Sequence, residues 1–278
     1  MTTARTQRFA FGCIWLAAVF TLAVLALVVG LIMVRGLPSL SIGFLTGTPE
    51  NLGRDGGIFP TIVGTIVLGL VSLLIATPLG IGSAIYLTEY THESLLTRAI
   101  RFGTESLAGV PSIIFGLFGF IFFVTYLQMG WSILAGGLTL ALMVLPTIIR
   151  TTEEAIRTVP QSYRNVSYSL GATRWQMVTT AVLPSALPGI ITGIILAFGR
   201  AVSETAAVIF TAGTALNLPK SVFSPVRTMA VHFYILAVEG ISLEKAYATG
   251  AVLIVTVLII NVIASSLITR LVRKQVRR

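Results

Sequence analysis

From Phe11 to Val34 the chain runs 24 residues without one charged side chain. As a helix rising about 1.5 Å per residue that run measures about 36 Å, enough to cross a hydrocarbon core of about 30 Å. Five more apolar stretches follow, at about 60–88, 106–128, 131–149, 185–212 and 247–269. Inside a bilayer no water is present to satisfy backbone N–H and C=O groups, so a continuous apolar run must close its hydrogen bonds within itself as a helix. The pattern therefore predicts an all-α polytopic membrane protein with six transmembrane helices, filling residues 1–278 as a single domain. Composition excludes the alternative of a soluble globule: 10% of the 278 residues are charged, against about 25% in ordinary soluble domains. The first run has no small-residue cleavage pattern behind it, which favours a retained helix over a signal peptide. Pro60, Pro78, Gly80 and Gly82 in the second run are tolerable where neighbouring helices satisfy the freed backbone groups. The third and fourth runs meet at a Gln128-Met129-Gly130-Trp131 turn, with Trp131 as an interface anchor.

Orientation follows from the basic residues. The chain has 19 Lys+Arg and 10 Asp+Glu, a net charge of +9. With the N-terminus in the cytoplasm, thirteen basic residues fall inside. They are Arg5, Arg8, Arg98, Arg101, Arg150, Arg157, Arg164, Arg174 and the tail Arg270, Arg273, Lys274, Arg277 and Arg278. Arg35, Arg54, Lys220, Arg227 and Lys245 fall outside. The positive-inside rule then puts both termini in the cytoplasm. The same sorting removes a nucleic-acid reading, because the excess charge marks topology and lipid headgroups rather than one basic face.

Catalytic motifs are missing. There is no G-x-x-x-x-G-K-[ST] phosphate loop, no G-x-S-x-G elbow and no H-E-x-x-H, so ATP hydrolysis is expected elsewhere than in this chain. His92 and His232 fall in loops on opposite sides and are expected to be solvated. Cys13 is the one cysteine and allows no internal disulfide or Cys-based metal site. No cofactor and no metal are expected.

The segment 150–184 is the longest cytoplasmic connection. Pro160 suits a first helical turn, Gly171 a left-handed C-terminal cap, and Thr173 with Gln176 a capping box opening a second short helix that Pro184 closes. Val166 and Leu170 share one side, with Arg164 and Asn165 exposed. Two short helices hinged at a glycine make a knob at the membrane surface, which is either a docking element or an interfacial hairpin without a partner.

Asn165-Val166-Ser167, then Gly171, then Ala181-Val182-Leu183-Pro184 resembles the "EAA…G…I-LP" loop of ABC importer permeases. Asn165 stands for the usual Glu, Ser167 for an Ala and Ala181 for an Ile, while Gly171, Leu183 and Pro184 fit at the family spacing. The runs Gly56-Gly57-Ile58 to Gly64-Thr65, Ala108-Gly109-Val110-Pro111-Ser112 to Phe118, and Gly199-Arg200-Ala201-Val202-Ser203-Glu204-Thr205-Ala206 are similar to phosphate-import permeases, the PstA type above all. The similarity extends from about residue 36 onward. It implies a type I ABC importer permease fold whose loop docks on an ATPase through Asn165, Ser167, Gly171, Ala172, Leu183 and Pro184. It also implies a sister permease, two ATPase subunits, an extracytoplasmic phosphate-binding protein and an inner-membrane location. Rival readings are a permease for another oxyanion, such as sulfate or molybdate, and a stand-alone channel or membrane scaffold.

Arg200 and Glu204 lie in the fifth apolar run, where charge is costly and commonly functional. At about 100° per residue, with Gly189 at zero, Arg200 falls at about 20°, Gly193 at about 40°, Glu204 at about 60° and Ala197 at about 80°. The i, i+4 spacing allows an ion pair on a small-residue face turned to the bundle interior. Such a pair either lines an anion route or only locks helices together. Arg150, followed by Glu153 and Glu154, ends the fourth run. It is either an interfacial topology marker or a second basic residue at the cytoplasmic mouth of the route. Residues 213–246 are broken by Pro219, Pro225 and Gly240, with Met229 to Val238 able to form a partly embedded helix on the outer side.

Overall fold

A computed structural model describes residues 2–276. Its elements in chain order are α1 (Thr2–Gly36), α2 (Ile42–Thr46), a two-residue hairpin of β1 (Pro49–Glu50) and β2 (Asp55–Gly56), and α3 (Phe59–Ile85). Then come α4 (Leu95–Ala108), α5 (Ser112–Gly119), α6 (Ile133–Arg157), α7 (Gln161–Ser169) and α8 (Arg174–Met177). The chain closes with α9 (Leu183–Ser203), α10 (Ala206–Thr211), α11 (Met229–Val238) and α12 (Leu243–Val276). π-helical turns extend α3 over Tyr86–Tyr90 and α5 over Phe120–Tyr126, and join α8 to α9 over Val178–Val182. Five of the described helical segments are long and apolar enough to cross a bilayer, six if the bent pair α4–α5 counts as one. The side chains of Arg5 and of the basic tail, Arg270, Arg273, Lys274, Arg277 and Arg278, lie outside the described ones.

The core is built where α3, α6 and α9 meet. Leu140, Met143, Val144 and Ile148 of α6 are buried against Leu68 and Ala76 of α3 and Ala197 and Ala201 of α9. Close approach depends on small residues. Gly80 faces Ile148, Gly137 faces Val71, and Gly189 and Gly193 of α9 face Ala155 and Thr151 of α6. Each of these backbones comes nearer than a Cβ would allow, the packing device of helices in lipid, where no hydrophobic force drives them together. By contrast α1 is exposed along its apolar length and leans on α12. Gly36 abuts the Tyr247 carbonyl, Arg35 lies over the Tyr247 ring at 5.4 Å, and Ser39 Oγ donates to Glu244 Oε1 at 2.7 Å.

Four expected boundaries shift. The third apolar run does not begin at 106, because residues 106–108 end α4. The helix breaks at Gly109-Val110-Pro111 and resumes as α5 after a 99° bend. Pro111 supplies no N–H and pushes Val110 out of the helical region. α4 is amphipathic, with Leu95, Leu96, Ile100, Phe102 and Leu107 exposed and Thr97 buried. The helix that carries the fourth run continues past Ile149 and Arg150 to Arg157. Pro184 does not close the second short helix, since Arg174 to Ser203 forms one helical stretch into the fifth run. The π turn widens the backbone just before Pro184, where a regular turn would offer a carbonyl to a missing N–H. Finally, α9 stops at Ser203 and does not continue to 212.

Candidate functional site

The knob is held by the caps its sequence specifies. Pro160 precedes the first turn of α7 in an extended conformation (φ −58°, ψ 141°). Gly171 has φ +78°, and the Ala172 N–H reaches back to the Ser167 carbonyl at 3.1 Å. The box at Thr173 and Gln176 is reciprocal, with Thr173 N donating to Gln176 Oε1 at 2.8 Å and Gln176 N donating to Thr173 Oγ1 at 3.3 Å. The outward surface sets large apolar and aromatic side chains among polar ones such as Gln161, Asn165 and Arg174. Tyr163, Val166, Leu170 and Trp175 are all exposed, Leu170 at 83%. Asn165 is exposed beside them, its side-chain oxygen accepting from Gln161 Nε2 at 3.5 Å. Ser167 is partly exposed, its hydroxyl donating to the Tyr163 carbonyl of its own helix.

Arg164 is not exposed as expected. Its side chain is 12% accessible and meets the 7%-accessible Glu89 carboxylate at 2.6 Å from Nη2. Nε donates to both Glu89 oxygens, at 3.2 and 3.3 Å, while Nη1 and Nη2 reach the Val159 and Ile156 carbonyls at 2.8 and 3.1 Å. The partner stands 75 positions earlier, beyond the reach of local pattern reading.

Arg200 sits half-buried in the last turn of α9, and Glu204 is the residue at which the helix ends, with φ −74° and ψ 135°. The expected i, i+4 pair therefore does not form, because it needs Glu204 to be helical. Its Oε1 instead accepts the Ala207 N–H at 3.4 Å at the start of α10, where a carboxylate suits the positive end of a helix. Among the described residues no ion pair joins Arg200 to an acid. The small-residue face at Gly189, Gly193 and Ala197 does pack inward against α6. Phe198 and Val202 pack on Gly69 of α3. The exposed stripe is Thr192, Leu196 and Ser203, at about 300–340° on the same helical wheel. Arg200, at about 20°, lies within the packed face, at the edge nearer this stripe, and is half-buried.

Arg150 is exposed and pairs with Glu154 at 3.3 Å. It opens onto a cleft of about 210 Å³ between α4 and α6, shared with Arg101, Thr104, Glu105, Glu153 and Arg157. Its neighbour Thr151 faces Gly193, and Arg200 lies seven residues, about 10 Å, further along α9. Arg150 and Arg200 are thus not brought together.

Toward the other end of α3, where Gly64 backs onto Val226 and the Arg227 carbonyl, a buried polar cluster lies that no local sequence pattern marks. His232 lies within α11 and is 1% exposed, not solvated. Its Nδ1 lies 3.4 Å from Arg227 Nη1, and Arg227 Nε donates to the Thr214 carbonyl at 2.9 Å. Burial, and then the Arg227 charge, push the imidazole pKa down to about 4; burial also lowers that of Arg227. The neutral ring accepts from Arg227 at Nδ1. Gly53, at φ +98°, presses directly on the ring. The exposed His92 behaves as expected. Among the described residues no group of three or more His, Cys, Asp or Glu is placed to hold a metal ion.

Comparison with known proteins adds an independent line. Residues 76–277 match the family described as "Binding-protein-dependent transport system inner membrane component". The chain is 36% identical over 285 residues to the "Probable ABC transporter permease protein YqgI" of Bacillus subtilis (strain 168), covering 97% of both chains. It is 34% identical to the "Phosphate transport system permease protein PstA" of Pasteurella multocida (strain Pm70), covering 91% of this chain and 88% of that one. Among solved structures, a chain of a bacterial alginate ABC transporter in complex with an alginate pentasaccharide-bound periplasmic protein superposes with a TM-score of 0.68. That match has 16% identity and covers 92% of each chain.

Proposed function

The chain belongs to the family of binding-protein-dependent transport system inner membrane components, and we propose that it is the permease subunit of an ATP-driven phosphate importer. The observation that carries this reading is the knob. Four exposed apolar side chains, Tyr163, Val166, Leu170 and Trp175, stand on a rigidly capped element at one end of the bundle. An apolar patch in water is stable chiefly when something covers it. The chain has no phosphate loop of its own, so an ATPase is the partner that fits. Residues 1–278 act as one transmembrane permease domain with both termini in the cytoplasm. Asn165, Ser167, Gly171, Ala172, Leu183 and Pro184 form or frame the docking segment.

A sister permease completes the path, two ATPase subunits dock beneath, and an extracytoplasmic binding protein delivers phosphate. Closure of the ATPase dimer on ATP moves the knobs and switches the path between inward- and outward-facing states. This chain makes and breaks no covalent bond. Arg200, beside the exposed stripe of α9, attracts the anion within the path. Glu204 shapes the helix break beside it, and Arg150 lies at the cytoplasmic mouth. Phosphate as cargo rests on the identity to relatives named for phosphate transport.

The test is phosphate uptake by cells lacking this chain, with the ATPase co-purified through a tag on the permease. Loss of phosphate uptake and recovery of an ATPase support the reading. Normal phosphate uptake with lost sulfate or molybdate uptake would move the cargo to another oxyanion. Absence of any ATPase would leave a channel or scaffold.

A further inference from the structure

The π-helical turn at Tyr86–Tyr90 is gripped from three directions. Arg101 of α4 donates to the Leu87 carbonyl at 3.2 Å. Arg164 of α7 holds the Glu89 carboxylate. Arg174 of α8 lies over the Tyr90 ring at 5.7 Å. π turns interrupt helices where a side chain must be re-aimed, and they recur at functional positions. Here the turn brings Glu89 under the knob. The knob itself is continuous with α6 through residues 158–160 and with α9 through Val178–Val182. Its link to α3, the helix with the largest share of the core beside α6 and α9, is made by side chains. A cleft of about 750 Å³ opens beside that link, between the knob and the turn.

We propose that Arg164 is the positioning residue that transmits knob movement into α3, acting through Glu89. The proposal rests on the ATPase-docking reading above. The geometry is that of a strut. All three guanidinium nitrogens are engaged, Nε and Nη2 on the carboxylate, with Nη1 and Nη2 on the carbonyls of Val159 and Ile156 at the end of α6. A planar fork bonded at every nitrogen fixes direction as well as distance, which a lysine cannot do. Low exposure of both partners shields the pair from salt and water. When the knob shifts, α6, α7 and α3 move as one body. Without the strut, α7 can pivot about residues 158–160 while α3 stays with α6 in the core.

The experiment uses the complete transporter, this chain with its sister permease, ATPase subunits and binding protein, in proteoliposomes. Phosphate taken up per ATP hydrolysed is the readout. Arg164→Gln and Glu89→Gln are each expected to leave the ATPase bound and hydrolysing, while uptake per ATP falls at least tenfold. Arg164→Lys keeps the charge without the fork and is expected to retain only part of the coupling. An Arg164→Gln complex with the wild-type ratio overturns the proposal. So does failure of both Arg164→Gln and Arg164→Lys to assemble, which assigns the pair to folding alone. If the wild-type complex shows no ATP-dependent phosphate uptake, it is the importer reading that fails, and the strut falls with it.

Discussion

Gly193 of α9 lies directly against Thr151 of α6, with no room for a Cβ between them. Thr151 is itself held in place by its hydroxyl, which donates to the Thr147 carbonyl at 2.8 Å. Gly193→Leu is therefore expected to separate the two helices and destabilise the core by about 1–3 kcal/mol, the usual effect of overpacking. Thermal unfolding of the detergent-solubilised chain measures it. Gly199→Ala on the same helix, with nothing within 4 Å, should leave the midpoint unchanged or raise it, because alanine is the better helix former. Equal effects at both sites would contradict close packing as the cause.

Gly171 has open space around a would-be Cβ but a φ of +78°. Within this chain, any effect of substitution there is conformational, not steric. Gly171→Val should cost more than Gly171→Asn, with the left-handed backbone worth about 1–2 kcal/mol. The readout is ATP hydrolysis stimulated by the loaded binding protein, expected to fall in the same order. Identical loss for both residues would point to another cause.

Leu170 is 83% exposed, so Leu170→Asp should not disturb folding. It should weaken ATPase association at least tenfold, measured by titrating purified ATPase onto the permease. Unchanged affinity would place the ATPase contact elsewhere.

The caps of the knob could be read from sequence because each needs residues only a few positions apart: Pro160, Gly171, and Thr173 with Gln176. The Met229–Val238 helix was legible for the same reason, since its apolar run is bounded by breakers. Arg164 reads as exposed because its local neighbours give no sign of Glu89. Glu204 reads as paired with Arg200 only if the helix runs on through Ser203-Glu204, where the carboxylate instead meets the next helix. The apolar arc of α4 was legible in principle at Leu95, Leu96, Ile100, Phe102 and Leu107. A continuous-run criterion hides such an arc, and it placed the third boundary too early.

His232 should make stability pH-dependent at the end of the bundle away from the knob. Its folded pKa of about 4 lies below the ordinary 6.5 of an unfolded histidine. The unfolded chain binds the proton first. The stabilising effect of the neutral ring is complete above pH 6.5 and declines as pH falls toward 4, by about 3 kcal/mol in all. Unfolding midpoints between pH 7.5 and 4.5 should slope for the wild type and flatten for His232→Leu. An unchanged slope in the variant would assign it to other groups.

Arg200 and Glu204 do not pair, so neutralising them should give independent effects. Arg200→Gln is expected to slow phosphate uptake at least tenfold with ATPase association intact. Glu204→Gln should act separately, through the start of α10. If Arg200→Gln with Glu204→Gln transports normally, neither residue belongs to the path.

The lean of α1 on α12 bears on the order in which the protein comes together. The bonds that hold α1, from Arg35 to Tyr247 and from Ser39 to Glu244, close loops of 212 and 205 residues. During synthesis at the ribosome α1 enters the bilayer long before its partner exists. Until then its partners Tyr247 and Glu244 are missing, whereas α3, α6 and α9 already have one another to pack on. Docking of α12 against it is then a late, second-stage event.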